Sequence, residues 1–374
     1  MTAELSTFPG IITTTEHNAE TIESKQILPK VSVIIVNTNE LHHLKRCLPS
    51  VFRQRYPDYE VLVVDNASTD GSIEYVAQEF PQAKIIRNGA NLGYAGANNE
   101  GFKHASGDYI AILNPDTQVE PNWLRELVVA LQADPQAGLA TPKILMMDDP
   151  TRLNTCGNEI TFTGLTFCRG LDQPAEKYNQ LEIVSAVSGA AFIIKRSVLE
   201  QIGGFDESFF IYYEDTDLSL RAMLAGYTCL YVPSSVVYHQ YTLRFSPWKC
   251  FLQERNRYFS LLKTLRWRTL IVLLPMLLLS ELIAWGYVLL QGPEHIRSKL
   301  RSYIWLISKR RHILEARSQV QALRRVNDRV LLNRFSHRLT FTQLTNPWIA
   351  TMLEKILNPL LLLLGRMIRV IVTW

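Results

Sequence analysis

Cysteine is sparse in this 374-residue chain, and its five residues (Cys47, Cys156, Cys168, Cys229, Cys250) form no CxxC pair and no Cys/His zinc spacing. Their odd number and scattered spacing fit a reducing compartment. The first 30 residues are polar and Thr/Glu-rich and lack the apolar core of a secretory signal, so they read as a loose tail. No internal repeat at periods of ~20–50 residues is present. Acid is scarce at one end only. Residues 241–374 carry 22 Lys/Arg against 6 Asp/Glu, whereas residues 1–240 carry 17 against 29. The net charge of +4 therefore conceals an acidic body and a strongly basic C-terminal third, which implies an anionic partner for that third. A hydrophobic content of 47% excludes a disordered protein and allows a sizeable core.

From Val31 the pattern is α/β. VSVIIV (31–36) is a continuous β-branched run suited to a buried parallel strand. A helix follows over 41–53, a strand over 60–64, a helix over 72–80 and a strand over 83–86. NLGYAGANNEGFKHA then opens another helix, and YIAILN (109–114) forms a fourth strand. This alternation predicts a mostly parallel sheet covered on both faces, with ligands beyond the carboxyl ends of the strands. The polar motifs fall at such ends. Residues 145–182 read as irregular, bridging a nucleotide half to an acceptor half.

Each motif admits a structural and a chemical reading. Asp65, after the strand VLVV, suits hydrogen bonds from a ribose or base, or an Asx-turn. Asp70 precedes a helix and reads as a cap. Asn91 to Gly101 is a glycine- and asparagine-rich helix entry that lets a ligand approach closely, but it lacks the Lys-Ser/Thr of a P-loop. Asn114-Pro115-Asp116-Thr117 closes a strand; it is good turn chemistry and equally places a carboxylate for Mg²⁺ or Mn²⁺. His239, after CLYVPSSVVY, is either structural or a second metal ligand. In SGAAFIIKRSVLEQIGGFDESFFIYYEDTDLSLRAML (188–224), Glu214, Asp215 and Asp217 arrive together at a helix start. They suit helix capping, or a general base whose pKa is held up by its acidic neighbours.

In order and spacing, VSVIIVNTN, VDNASTDGS, NLGYAGANNEG, GDYIAILNPDT and GGFDESFFIYYEDTDLSLRAMLAGY resemble family 2 glycosyltransferases with the GT-A fold, in the style of bacterial rhamnosyltransferases of surface polysaccharide assembly. The resemblance covers about residues 31–240. It implies an inverting transfer from a nucleotide-diphosphate sugar, with Thr38, Asp65 and Asn91 at the nucleotide and Asn114 and Asp116 at the diphosphate. It also implies a divalent cation on Asp116 and His239, Asp215 as the base, and Glu214 and Asp217 on the acceptor side. One departure stands out: the family's DXD is reduced here to Asn114-Pro115-Asp116, with one carboxylate missing. The QxxRW of processive synthases is absent. A catalytically silent sugar-nucleotide-binding scaffold is the alternative from another class.

Residues 241–374 read as a helical, membrane-associating region. Thr269 to Leu290 is long enough to cross a bilayer, but Pro275 and Glu281 interrupt it and basic residues flank both ends. A span, a re-entrant hairpin, an interfacial helix and an oligomer contact all stay open. Ile356 to Trp374 carries Arg366 and Arg369 on one helix face, as an interfacial helix would. Anionic lipid is the expected partner, and no aromatic-basic motif of nucleic-acid recognition accompanies the charge. The expectation is attachment to the cytoplasmic face of the membrane, where a lipid-linked or glycan acceptor is presented.

Overall fold

The computed structural model describes residues 28–242, 246–341 and 347–374; the expected N-terminal tail falls almost wholly outside the described residues. The chain begins with β1 (Val31–Asn37), α1 (Leu41–Val51), β2 (Tyr59–Asp65), α2 (Ser72–Glu79), β3 (Lys84–Arg87), α3 (Gly93–His104) and β4 (Tyr109–Leu113). There follow β5 (Thr117–Val119), α4 (Trp123–Ala133), β6 (Ala137–Met146), β7 (Leu153–Thr155), β8 (Asn158–Ile160), β9 (Thr166–Cys168), β10 (Glu182–Val184) and β11 (Ala191–Lys195). After α5 (Arg196–Ile202), α6 (Glu214–Leu224) and β12 (Thr228–His239) the chain is helical. Its helices are α7 (Pro247–Thr264), α8 (Trp267–Gln291), α9 (Pro293–Ser308), α10 (Arg310–Ala322), α11 (Asp328–Arg334) and α12 (Pro347–Ile371).

All seven residues of β1 are buried, because successive side chains feed opposite cores. Val31, Val33 and Ile35 pack with α1, α2 and α4 residues such as Leu44, Val76 and Leu127. Ile34 and Val36 pack with Ala95, Leu199 and Leu218 of α3, α5 and α6. The main sheet runs β10-β12-β6-β11-β4-β1-β2-β3. Its half from β4 to β3 is parallel, and β11 enters antiparallel to both β4 and β6. The stretch 145–182 is not irregular throughout. It carries β7, the β8–β9 hairpin and a one-turn helix, in pieces of three residues that are too short to show a period.

The helical region shares a core with the α/β body: Ile160, Phe162 and Leu220 are buried in one cluster with Leu261, Leu273, Met276 and Leu332. Among the described residues α8 alone is long and apolar enough to cross a membrane by length and composition, and 22% of its most apolar window is buried. Glu281, in mid-helix, accounts for the interruption. It pairs with Arg257 at 2.6 Å and Lys299 at 3.1 Å and accepts from Tyr258 and Tyr303, so α7, α8 and α9 meet on one acid. Arg257 and Lys299 also pair with Glu254. Away from this anchor, α8 exposes Ile271, Leu274, Leu278, Leu282 and Leu289 at helical spacing. On α12, Ile356, Leu360, Leu363 and Met367 are likewise exposed.

Candidate active site

Parallel pairing sets Asn37 beside Asp65 and Asp65 beside Arg87, so the loops after β1, β2 and β3 leave the sheet side by side. Asn37 is buried, and its Nδ2 donates to Ser68 Oγ at 2.9 Å and Ser72 Oγ at 2.8 Å. That fixes the turn on which half-buried Thr38 sits. Asp65 Oδ1 accepts from the Ser68 N–H at 3.1 Å, which is the turn contact weighed above. Asp70 accepts from Ser72 N–H at 3.1 Å and Leu41 N–H at 2.9 Å, serving the first residues of α2 and α1. Asn91 is exposed; its Oδ1 accepts from Gly93 N–H at 2.8 Å and Asn66 Nδ2 at 2.7 Å. Buried Asn66 also takes the Leu92 N–H at 2.9 Å, so it holds the entry to α3. At that entry Gly93 has φ +71°, and a Cβ would lie 2.5 Å from the Phe210 carbonyl.

Antiparallel pairing of β5 with β12 sets Thr117 opposite His239, and Gln240 N–H donates to Asp116 O at 3.0 Å. His239 Nε2 thereby lies 3.3 Å from Asp116 Oδ2, while Nδ1 faces Asn154 Oδ1 at 2.8 Å. With Nδ1 donating to Asn154, the Nε2 lone pair points at a carboxylate oxygen, an arrangement that needs a proton or a cation between them. Asp116 Oδ1 and Asn114 Oδ1 are buried without a hydrogen-bond partner among the described residues. Burial pushes the Asp116 carboxyl up, but His239 and then His43 outweigh it and hold it below the usual carboxylate range. These oxygen and imidazole donors fit Mg²⁺ or Mn²⁺. Asp116, His239 and His43 line a cavity of about 310 Å³ together with Tyr212, Tyr241 and Lys249.

The acid pair is delivered by a strained turn. Phe210, Tyr212 and Tyr213 have φ of +64°, +70° and +73°, rare for such bulky residues. The turn is held from α7: Asn256 Nδ2 donates to the carbonyls of Phe209, Ile211 and Tyr212, and Arg255 Nη2 to those of Ser208 and Phe209. Asp215 does not cap α6 in the usual way. Its Oδ2 accepts from Gly189 N–H at 2.8 Å and Asn158 Nδ2 at 3.0 Å, and its Oδ1 from Thr216 N–H at 2.6 Å. Glu214 Oε2 is buried with no hydrogen-bond partner among the described residues. Burial raises the pKa of both acids, and the Asp215 charge drives Glu214 higher still.

A single loop joins the two corners. Ala190 O accepts the Asn114 N–H at 2.9 Å, and the neighbouring Gly189 N–H binds Asp215. Tyr94 Oη donates to Gly189 O at 2.5 Å. Burial pushes that hydroxyl up, as do Glu214, Asp215 and Asp116, so the three carboxylates act on one half-buried phenol. Asp217, expected on the acceptor side, requires correction. It is fully buried, pairing with Arg221 at 2.8 Å and Lys263 at 2.9 Å. Lys263 also pairs with Asp206 at 2.6 Å, and Arg221 donates to the carbonyls of Ile202, Gly203 and Gly204. Asp217 therefore fastens α6 to the body.

A sequence model described as Glycosyl transferase family 2 matches residues 32–203. The N-acetylglucosaminyl-diphospho-decaprenol L-rhamnosyltransferase of Mycobacterium tuberculosis (strain H37Rv) is 31% identical over 231 residues, covering 55% of this chain and 75% of that protein. The chain belongs to glycosyl transferase family 2. It is also similar to the probable glycosyltransferase YdaM of Bacillus subtilis, 27% identical over 244 residues, covering 63% of this chain and 56% of the relative. In fold it matches S. aureus TarS residues 1–349, solved with UDP-GlcNAc, at a TM-score of 0.52 and 17% identity, over 82% of this chain and 90% of that one. The family and the mixed sheet make it a GT-A glycosyltransferase of rhamnosyltransferase-like sequence.

Several residues of this family 2 glycosyltransferase site escaped the sequence reading. Asn158 and Gly189 sit in segments without periodicity, and nothing in the sequence marks them as partners of Asp215. Asn256 lies in the run QERNRY, where alternating charged and polar residues give no sign that it reaches the carbonyls before Glu214. Glu40, His42 and His43 bring potential metal-ligating atoms within 4.8 Å of one another at the start of α1; the signal was the His-His pair itself.

Proposed function

We propose that this glycosyltransferase moves a sugar, with inversion, from a nucleotide-diphosphate donor to a lipid-linked or polysaccharide acceptor in cell-surface glycan synthesis. The name of the mycobacterial relative makes dTDP-rhamnose the first donor to try and a lipid diphosphate the first acceptor class. The observation that carries the reading is the meeting of the Asp116–His239 corner with the Glu214–Asp215 pair across Gly189 and Tyr94. Residues 31–240 would form the catalytic unit and residues 241–374 the membrane-associating one.

Thr38, Asp65 and Asn91 lie on neighbouring loops at the strand ends, where a nucleotide would bind. Asp116 and His239 would hold Mg²⁺ or Mn²⁺, with Asn114 beside them; the bound cation supplies positive charge against the charge growing on the diphosphate. The acceptor oxygen attacks the anomeric carbon from the face opposite the leaving group. The new C–O bond forms as the bond to the diphosphate breaks, and the diphosphate leaves with the electron pair. Asp215 takes the acceptor proton. Asn158 and Gly189 orient its carboxylate for that transfer.

The apolar faces of α8 and α12, together with exposed basic residues of the same helical region such as Arg301, Lys309, Arg310 and Arg366, support attachment to anionic lipid at the cytoplasmic membrane face. The test is nucleoside diphosphate release from a panel of UDP-, GDP- and dTDP-sugars by detergent-extracted protein, with Mg²⁺ or Mn²⁺ and a membrane-lipid extract. Release from one donor, dependent on the extract, supports the reading. Tight binding of one nucleotide with no release under any condition would favour the silent scaffold.

A further inference from the structure

A second cavity, of about 530 Å³, lies between β9, α7 and α8. Its walls are mostly apolar, with Leu165 and Phe167 on one side and Ile283, Val288 and Phe341 on the other. Three features relate it to the site already described. Tyr241 and Lys249 line both this cavity and the 310 Å³ catalytic one, so the two adjoin at these side chains. The Lys249 ammonium lies 5.0 Å from the centre of the Tyr212 ring, placing a cation at the junction. The β8–β9 hairpin separates the cavity from the base: Asn158 and Cys168 are paired across it, Asn158 binds Asp215, and Cys168 and Thr166 line the cavity. The Cys168 thiol is pushed up to about 11, first by burial and then by the Asp215 carboxylate.

The far end faces outward. Leu290 lines the cavity and is 87% exposed, at the end of the apolar stripe on α8. Gly286 and Ala284 keep the α8 wall thin, and a Cβ added at Gly286 would meet nothing within 4 Å. The Glu281 anchor holds α8 in place beside this opening. An apolar cavity beside an exposed apolar stripe suits a hydrocarbon chain, and a cation where it adjoins the catalytic cavity suits an anionic head.

We propose that this cavity receives the first isoprene units of a polyprenyl-diphosphate-linked acceptor, with Lys249 at the diphosphate and the rest of the chain leaving past Leu290. The inference rests on the transferase reading above and adds the lipid class and its path. It accounts for apolar side chains bordering a site proposed to take a nucleotide-diphosphate sugar, and for the small residues at 284 and 286.

The test is photolabelling of the full chain, in detergent micelles, with a benzophenone-bearing farnesyl diphosphate, followed by peptide mapping. Label is expected in peptides spanning 165–168 and 280–290, displaced by farnesyl diphosphate but not by inorganic diphosphate. Gly286→Leu and Ala284→Trp, two separate ways to fill the cavity, should each reduce it about tenfold, ~1.4 kcal/mol of binding. Label confined to the exposed faces of α8 and α12, or displaced equally by inorganic diphosphate, overturns the cavity. The wild-type map decides this even if both variants misfold. Donor turnover with no cavity label would sink the lipid path and leave the transferase standing. Cavity label in a protein that turns over no donor would do the reverse.

Discussion

The side-chain amide of Asn256 donates to the Tyr212 carbonyl at 2.7 Å, tying α7 to the left-handed turn that sets down Glu214 and Asp215. The same Nδ2 reaches the Phe209 and Ile211 carbonyls at 3.1 Å. A strained turn persists only where its surroundings over-determine it, and here the basic C-terminal third supplies the restraint. Asn256→Asp should place a carboxylate against three carbonyl oxygens, costing ~1–3 kcal/mol of stability. The kcat should fall about tenfold or more, while the nucleoside diphosphate Kd holds near wild type. Thermal unfolding beside kinetics checks this, and a parallel loss of donor affinity would mean the turn is not what was disturbed.

Asp215→Asn is expected to abolish transfer, by ~10²–10⁴-fold, and leave donor binding nearly intact. Glu214→Gln should keep substantial turnover, because its Oε2 is not held in a hydrogen-bonded position as the Asp215 carboxylate is. If Glu214→Gln is the dead variant and Asp215→Asn the live one, the base has been assigned to the wrong member of the pair.

The same pair sets a pH dependence. Burial raises both carboxyls, so the folded chain keeps protons at pH values where the unfolded chain has lost them. Stability contributed by the pair therefore falls as pH rises from the ordinary carboxylate range through the raised folded values, and is constant above them. Activity runs the other way, since the base must be ionised: the acid limb of the kcat profile should lie above the usual ~4 of a free carboxyl. Because the Asp215 charge drives Glu214 higher, Glu214 is still protonated as Asp215 ionises, and Glu214→Gln should leave that limb nearly in place. A limb that moves down would mean Glu214 carries the charge when the base ionises.

At the Asp116–His239 corner, Asn154 fixes the His239 ring through Nδ1 and would not touch a cation held there. Asn154→Ala should weaken apparent Mn²⁺ activation by about 10–100-fold through a mis-set imidazole. Saturating metal should restore much of kcat if the effect is one of affinity. No change in the metal titration would place the cation away from His239.

Legibility in the sequence followed the range of the interactions. The strands β1, β2 and β4 are continuous apolar runs bounded by polar turns, and the strand–helix alternation from 31 to 114 announces the fold. Asp116 and Asp215 were visible because each stands at the end or start of a periodic element. Asp217 was misread for the same reason. It shares that helix start with Asp215, but its partner Lys263 comes from α7, far along the chain. Asn158 lies in a three-residue strand with no period to read. Glu281 looked like a defect in an apolar run, because Arg257 and Lys299 are recruited to it from other helices.

That last contact separates two accounts of α8. A helix freely crossing a bilayer should gain from replacing a mid-helix acid with leucine, since a charged group at the bilayer centre is costly. A helix docked by its acid should lose instead, because Arg257 and Lys299 are fully buried and would be left sharing one carboxylate, that of Glu254. Removing one partner of such a buried network costs ~3–5 kcal/mol. Glu281→Leu is therefore expected to lower the unfolding midpoint in detergent, although it makes the segment more apolar. Leu278→Glu and Leu282→Glu lie on the exposed stripe and should leave that midpoint nearly unchanged. They should instead reduce flotation with vesicles containing anionic lipid, and added salt should weaken it further, because the exposed basic residues contribute an attraction that salt screens. Flotation unaffected by either stripe substitution would remove α8 from the membrane contact and leave α12 to carry it.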